Sequence, residues 1–212
     1  MINQGVIGKI YRIAEWIMLL AYANLLWILF TVVGVFIFGF FPSTVGLYSV
    51  VRKWILKGSD IPVWKTFWGA FRSEFIKANL VGFAFLLIGG VIYVDLKFFQ
   101  HSGGPIFFIL SYLFMMILII YLMMWLFLFP VYVHYELTVL QYIKQTFLII
   151  FLRPLEAVMA IIGGLAAYYL MMLVPGIIPF FSMSLAALVL TWVAQRSFTK
   201  ITEKSVRIQQ EN

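Results

Sequence analysis

The chain has 212 residues, of which 64% are hydrophobic, 19% aromatic and only 11% charged, with a mean hydropathy of +1.04. A soluble domain carries about 25% charged residues and could not hide this much apolar surface at such a length. A typical cytosolic enzyme, a disordered chain and a disulfide scaffold are excluded, and a polytopic membrane protein remains. The net charge of +7 would suggest nucleic acid in a soluble protein. Here the basic residues flank apolar stretches, so they report topology and no nucleic-acid partner is expected. With no cysteine, thiolate chemistry and disulfides are absent.

Lys9 and Arg12 precede a charge-free run from Trp16 to Val51. It is too long for a signal-peptide core and lacks a small-x-small site, so it reads as a retained first helix. As one helix it would reach about 54 Å, well beyond the ~30 Å hydrocarbon core. Gly39, Phe40, Phe41 and Pro42 place a break in it. The expected spans are then 16–38 and 42–57. The second is short enough that a re-entrant half-helix is the alternative, and a break at Pro42, Ser43 and Thr44 could leave backbone groups free for a ligand.

Residues 61–77 are amphipathic at helical spacing. Trp64, Phe67, Trp68, Phe71 and Phe75 share one face, and Lys65, Thr66, Arg72, Ser73 and Lys77 the other. This predicts a basic interfacial helix with aromatic anchors on anionic lipid headgroups. Spans follow at 78–96 and 106–134, then a weaker amphipathic segment at 137–152. Pro175-Gly176 and Pro179 turn the chain between spans 155–174 and 178–196. The expected fold is all-α: a single integral membrane domain over 1–212, a transmembrane helical bundle of about six spans. Phe41-Pro42 with Val45 resembles Phe129-Pro130 with Val133, a match that 22 phenylalanines make easy by chance.

With the N-terminus in the cytoplasm, an even number of spans leaves only Lys97, of fifteen Lys and Arg, outside. Both termini are therefore expected inside.

An ionisable residue within a span is the best functional hint a membrane sequence offers. Glu15, Asp95, Glu136 and Glu156 all fall at span ends, where they read as solvated boundary charges, Glu156 beside Arg153. His134 and Glu136 are two apart and point to different helix faces, a poor metal spacing with no third ligand nearby. Asn24 lies within the first span and can bond across helices. Small residues four apart (Ala160 with Gly164, Gly163 with Ala167, Ser182 with Ala186) predict close helix packing or a docking face for another membrane protein. Hydrolase, zinc-protease and phosphate-loop signatures are absent, so no catalytic residue, metal site or cofactor is expected.

Ile13-Ala14-Glu15-Trp16, Asn24-Leu25-Leu26-Trp27, Phe41-Pro42-Ser43-Thr44-Val45 and Val51-Arg52-Lys53-Trp54, in that order, resemble the YesL-like family of bacterial membrane proteins. The resemblance implies a protein of the cytoplasmic membrane from a family of unknown function, commonly encoded beside carbohydrate ABC importers. It supplies no site residues. The function expected is that of a non-enzymatic accessory or assembly partner of such an importer. The alternative is a small transporter or channel for a neutral solute such as a sugar.

Overall fold

The computed structural model describes the backbone of residues 6–211 and the side chains of 8–200. The described residues form helices and short connections. The helices are α1 (Val6–Val33), α2 (Ile37–Lys57), α3 (Val63–Ser73), α4 (Phe75–His101), α5 (Pro105–His134), α6 (Val139–Leu152), α7 (Pro154–Leu173) and α8 (Ile178–Glu211). A short 3-10 turn, Pro175–Ile177, joins the last two. Lys204 and Arg207, part of the basic count, lie outside the residues whose side chains are described.

The architecture is three antiparallel helix hairpins, α1–α2, α4–α5 and α7–α8, linked by the short helices α3 and α6. Among the described residues five helical segments are long and apolar enough to cross a membrane: Gly8–Val33, Phe75–His101, Pro105–His134, Pro154–Leu173 and Pro175–Lys200. The protein is thus an all-α, multi-pass membrane bundle in contact with lipid. The sixth long helix, α2, carries Pro42, Ser43, Thr44, Ser49, Arg52 and Lys53 and is less apolar than the other five. It occupies the centre, touching α1, α3, α4, α5 and α8. Its residues from Phe41 to Tyr48 are all buried.

The break between the first two helices is not at Pro42. The chain turns at Gly34, Val35 and Phe36, and Pro42 lies inside α2. Gly34 and Gly39 explain the placement, since a Cβ on either would run into the other's backbone. Only this bare pair lets the two helices close over three residues. Val35 and Phe36 take φ of 58° and 52°, a conformation that costs an L-residue about 1–2 kcal/mol. Every turn amide still has a partner: Gly34 N–H donates to Phe30 O, Val35 to Val32 O, Phe36 to Thr31 O and Ile37 to Val35 O. Backbone pairing of this kind is what a turn needs where water is scarce.

The amphipathic segment at 61–77 is likewise two elements, because α3 ends at Ser73 and α4 starts at Phe75. The α6 segment starts on a capping box, with the Thr138 N–H donating to Gln141 Oε1 at 2.9 Å. Gly104, at φ 114°, and Pro105 at the first helical position start α5. The Phe-Pro pairs occupy unlike places, near the start of α2 and near the end of α5, so they do not mark equivalent positions of a repeat.

Candidate functional site

Asn24 is fully buried in the middle of α1 and holds the N-terminal end of α8. Its Nδ2 donates to Pro179 O at 2.8 Å, and its Oδ1 accepts from the N–H groups of Met183 and Ser184 at 3.0 and 3.1 Å. Pro179 O and Met183 N–H are four residues apart and would pair with each other in a regular helix. The amide therefore meets both halves of one helical bond and ties the first hairpin to the third.

Pro42, Ser43 and Thr44 are buried, so they do not form an open helix break. Thr44 Oγ1 donates to Phe40 O at 2.7 Å and accepts from Trp27 Nε1 at 3.0 Å. Pro42 has no N–H for the carbonyl of Phe38, four residues back. Asn79 of α4 supplies the missing donor: its Nδ2 reaches Phe38 O at 2.9 Å, and its own Phe75 O at 2.8 Å. The sequence reading did not single out Asn79. The proline was visible in sequence, but the helix that would repair it was not.

The small-residue positions divide. Ala160 and Ala167 are buried, and Gly163 faces the Val189 side chain of α8, where a Cβ would not fit. Gly164 faces open space, and Ser182 and Ala186 are half-buried. Where the start of α7 meets the C-terminal part of α8, buried Glu156 pairs with Lys200 Nζ at 2.8 Å. Its ion-pair partner is therefore Lys200 of α8, forty-four residues away, rather than Arg153.

The aromatic face of 61–77 divides too. Phe67 and Phe71 are buried beneath Phe30 of α1, with ring centroids 5.3 and 4.9 Å from it. They are core residues, not lipid anchors, because α3 lies against the first hairpin and Phe67 covers Gly46 of α2. Trp64 and Trp68 touch Phe30 while remaining exposed. Phe75 is half-buried at the start of α4. Lys65 and Arg72 are exposed, but Lys77 turns inward over the rings of Tyr132 and Tyr142, at 5.8 and 5.4 Å.

Lys77 is one wall of a polar cavity of about 360 Å³ where α2, α3, α4, α5 and α6 converge. Its chemistry comes from Arg52, Glu74, Lys77, Tyr132, His134 and Glu136. Tyr132 and Tyr142 stack at 4.6 Å, and the Tyr132 hydroxyl donates to Glu74 Oε2 at 2.8 Å. The Tyr142 hydroxyl donates to Tyr135 O at 2.9 Å and accepts from the Leu137 N–H at 3.3 Å, fixing the α5–α6 link. Burial pushes the Tyr135 hydroxyl above its ordinary pKa, against a hydrogen bond from Gln145. Arg52 Nε and His134 Nδ1 are buried with no hydrogen-bond partner. The sequence gives these residues no shared spacing: Arg52, Lys77, His134 and Glu136 are each noted for another reason, and nothing in the sequence points to Glu74 or Tyr132. Among the described residues no three His, Cys, Asp or Glu lie together in a way that could hold a metal.

The family described as "Protein of unknown function, DUF624" matches residues 20–96. Over 185 residues the chain is 37% identical to the uncharacterized protein YteU of Bacillus subtilis (strain 168), covering 86% of this chain and 82% of that one. The chain belongs to the YesL-like DUF624 family. Two further relatives from the same organism are the uncharacterized proteins YesV, 33% identical over 92% of this chain and 94% of that one, and YesL, 28% identical over 94% of each. No solved structure matches. The DUF624 match covers the α2, α3 and α4 walls of the polar cavity, including Arg52, Glu74 and Lys77, while α5 and α6 complete it from outside the matched stretch.

Proposed function

We propose that this DUF624 protein is a non-enzymatic protein of the bacterial cytoplasmic membrane that acts as an accessory or assembly partner of a carbohydrate ABC import system. The observation that carries the scaffold part of this reading is the use made of the two buried amides. Asn24 and Asn79 are bonded to backbone groups of their own chain and brace α1 to α8 and α2 to α4. Bracing of this kind suits a scaffold on which other subunits assemble better than a path that must open and close. The importer as partner comes from the family resemblance alone. Exposed Lys65 and Arg72, beside exposed Trp64 and Trp68, suit contact with anionic headgroups.

The alternative, a small transporter or channel for a neutral solute such as a sugar, loses its suggested ligand groups at Ser43 and Thr44 to the packing of α2. The test is affinity purification of the tagged chain from native membranes in mild detergent, with mass spectrometry. Stoichiometric importer subunits are the expected result. Recovery of the chain alone would count against the proposal, and sugar uptake in a strain lacking the gene would then test the alternative.

A further inference from the structure

We propose that the polar cavity binds a phosphate-bearing headgroup that also carries hydrogen-bond donors, the pattern of an ethanolamine or glycerol phosphodiester. The volume of about 360 Å³ is in the range of small-ligand sites. Four charged side chains line it: Arg52, Lys77, Glu74 and Glu136. The ion pair among the described residues is Glu156–Lys200, so none of the four is spent on another. Their unmet needs differ. Glu74 already accepts the Tyr132 hydroxyl, and Glu136 is exposed to solvent. Arg52 Nε is buried with nothing to donate to, and an unmet charged donor is costly. What the cavity lacks is therefore an acceptor, and the planar guanidinium fork matches phosphate oxygens. Lys77 of α4, held over two tyrosine rings, supplies a second cation to the same cavity. The carboxylates then favour a headgroup whose far end offers N–H or O–H. The cavity lies toward the ends of α2 and α5 and at the start of α4, where charged residues take over from apolar helix, and a span's ends are where it meets the headgroups.

The experiment uses the full chain, delipidated in detergent. It is titrated with dioctanoyl phosphatidylethanolamine, phosphatidylglycerol, phosphatidic acid and diacylglycerol, and with soluble glycerol 3-phosphate. Ethanolamine or glycerol lipid should bind, and both Arg52→Gln and Lys77→Gln should weaken binding by about tenfold or more, as expected for a charge-assisted contact. Glu74→Gln should narrow the preference over phosphatidic acid. Lys57→Gln, exposed at the same end of α2 and outside the cavity, should change nothing. Melting without ligand identifies a variant that fails to fold, and Lys77→Gln carries the test if Arg52→Gln does. Binding of the lipids without glycerol 3-phosphate assigns the phosphate to the membrane, and binding of the soluble ester assigns it to the cytosol. Diacylglycerol binding as well as the phospholipids do, or Arg52→Gln and Lys77→Gln both binding like the parent chain, would overturn the proposal.

Discussion

Helix α2 and the first half of α5 are opposite solutions to the same apolar environment. Helix α2 has a proline, several hydroxyls and two adjacent cations, yet most of it is buried. Residues 105–120 of α5 are almost entirely apolar, yet among them only Ser111 is buried. In water the more hydrophobic helix would be the inner one. In lipid the solvent is itself apolar, so hydropathy marks the outside of the bundle, and protein contact is what tolerates polar groups. The central helix is therefore the one with donors and acceptors to satisfy: Trp27 and Asn79 meet those of Thr44 and Phe38, while Arg52 Nε is left without a partner.

This contrast makes specific demands on substitutions. The largest effects should come from removing bulk from α2 and from adding charge to α5. Tyr48 is buried and stacked on Phe129 at 5.5 Å, so Tyr48→Ala should cost about 3 kcal/mol in cavity and lost contact. Ile109→Asp on the exposed α5 face should cost about 3 kcal/mol on membrane insertion, read as reduced accumulation in the membrane fraction. Equal tolerance of both substitutions would break the comparison.

Next come the amides. Asn79→Ala should lower stability by about 1–2 kcal/mol by leaving Phe38 O unpaired. Adding Pro42→Ala should recover part of it, because an alanine N–H can reach that carbonyl, and a double-mutant cycle of thermal melts in detergent reads the coupling. Additive losses would show that the proline and the amide are unrelated. Asn24→Leu should cost about 1–2 kcal/mol and loosen α8 from α1, seen as faster amide exchange around Met183 and Ser184.

Smaller effects sharpen the rest. Val35→Gly removes the side chain from a positive-φ position and should raise stability by about 1 kcal/mol. A drop in melting temperature would place the tight turn elsewhere. Ile109→Ala, at 67% exposure, should change stability by less than about 0.5 kcal/mol. A large loss there would mean that this face packs on protein rather than lipid.

Much of this was legible along the chain, and the misreadings share a cause. The long apolar runs, the Pro-Gly turn before α8 and the amphipathic spacing at 61–77 are local patterns. The sequence puts the helix break at Gly39 to Pro42, because glycine with proline is the strongest local punctuation there. Gly34 and Gly39 prevail because two backbones must pass each other, which is a relation between helices. Phe67 and Phe71 look like anchors on a helix wheel, and only Phe30 above them makes them core. Asn79 is one amide on an apolar helix until Phe38 lies opposite it. The cavity residues come from five helices, so no spacing could assemble them.

Composition and periodicity by themselves determined that the chain is helical and multi-pass, because lipid imposes length and apolarity on each segment separately. The tertiary structure decided which helix is central, where the first hairpin turns, which amides are bonded and which charges surround the cavity. Those depend on which helices lie side by side, and lateral order in a bilayer is set by packing and hydrogen bonds between segments distant in the chain.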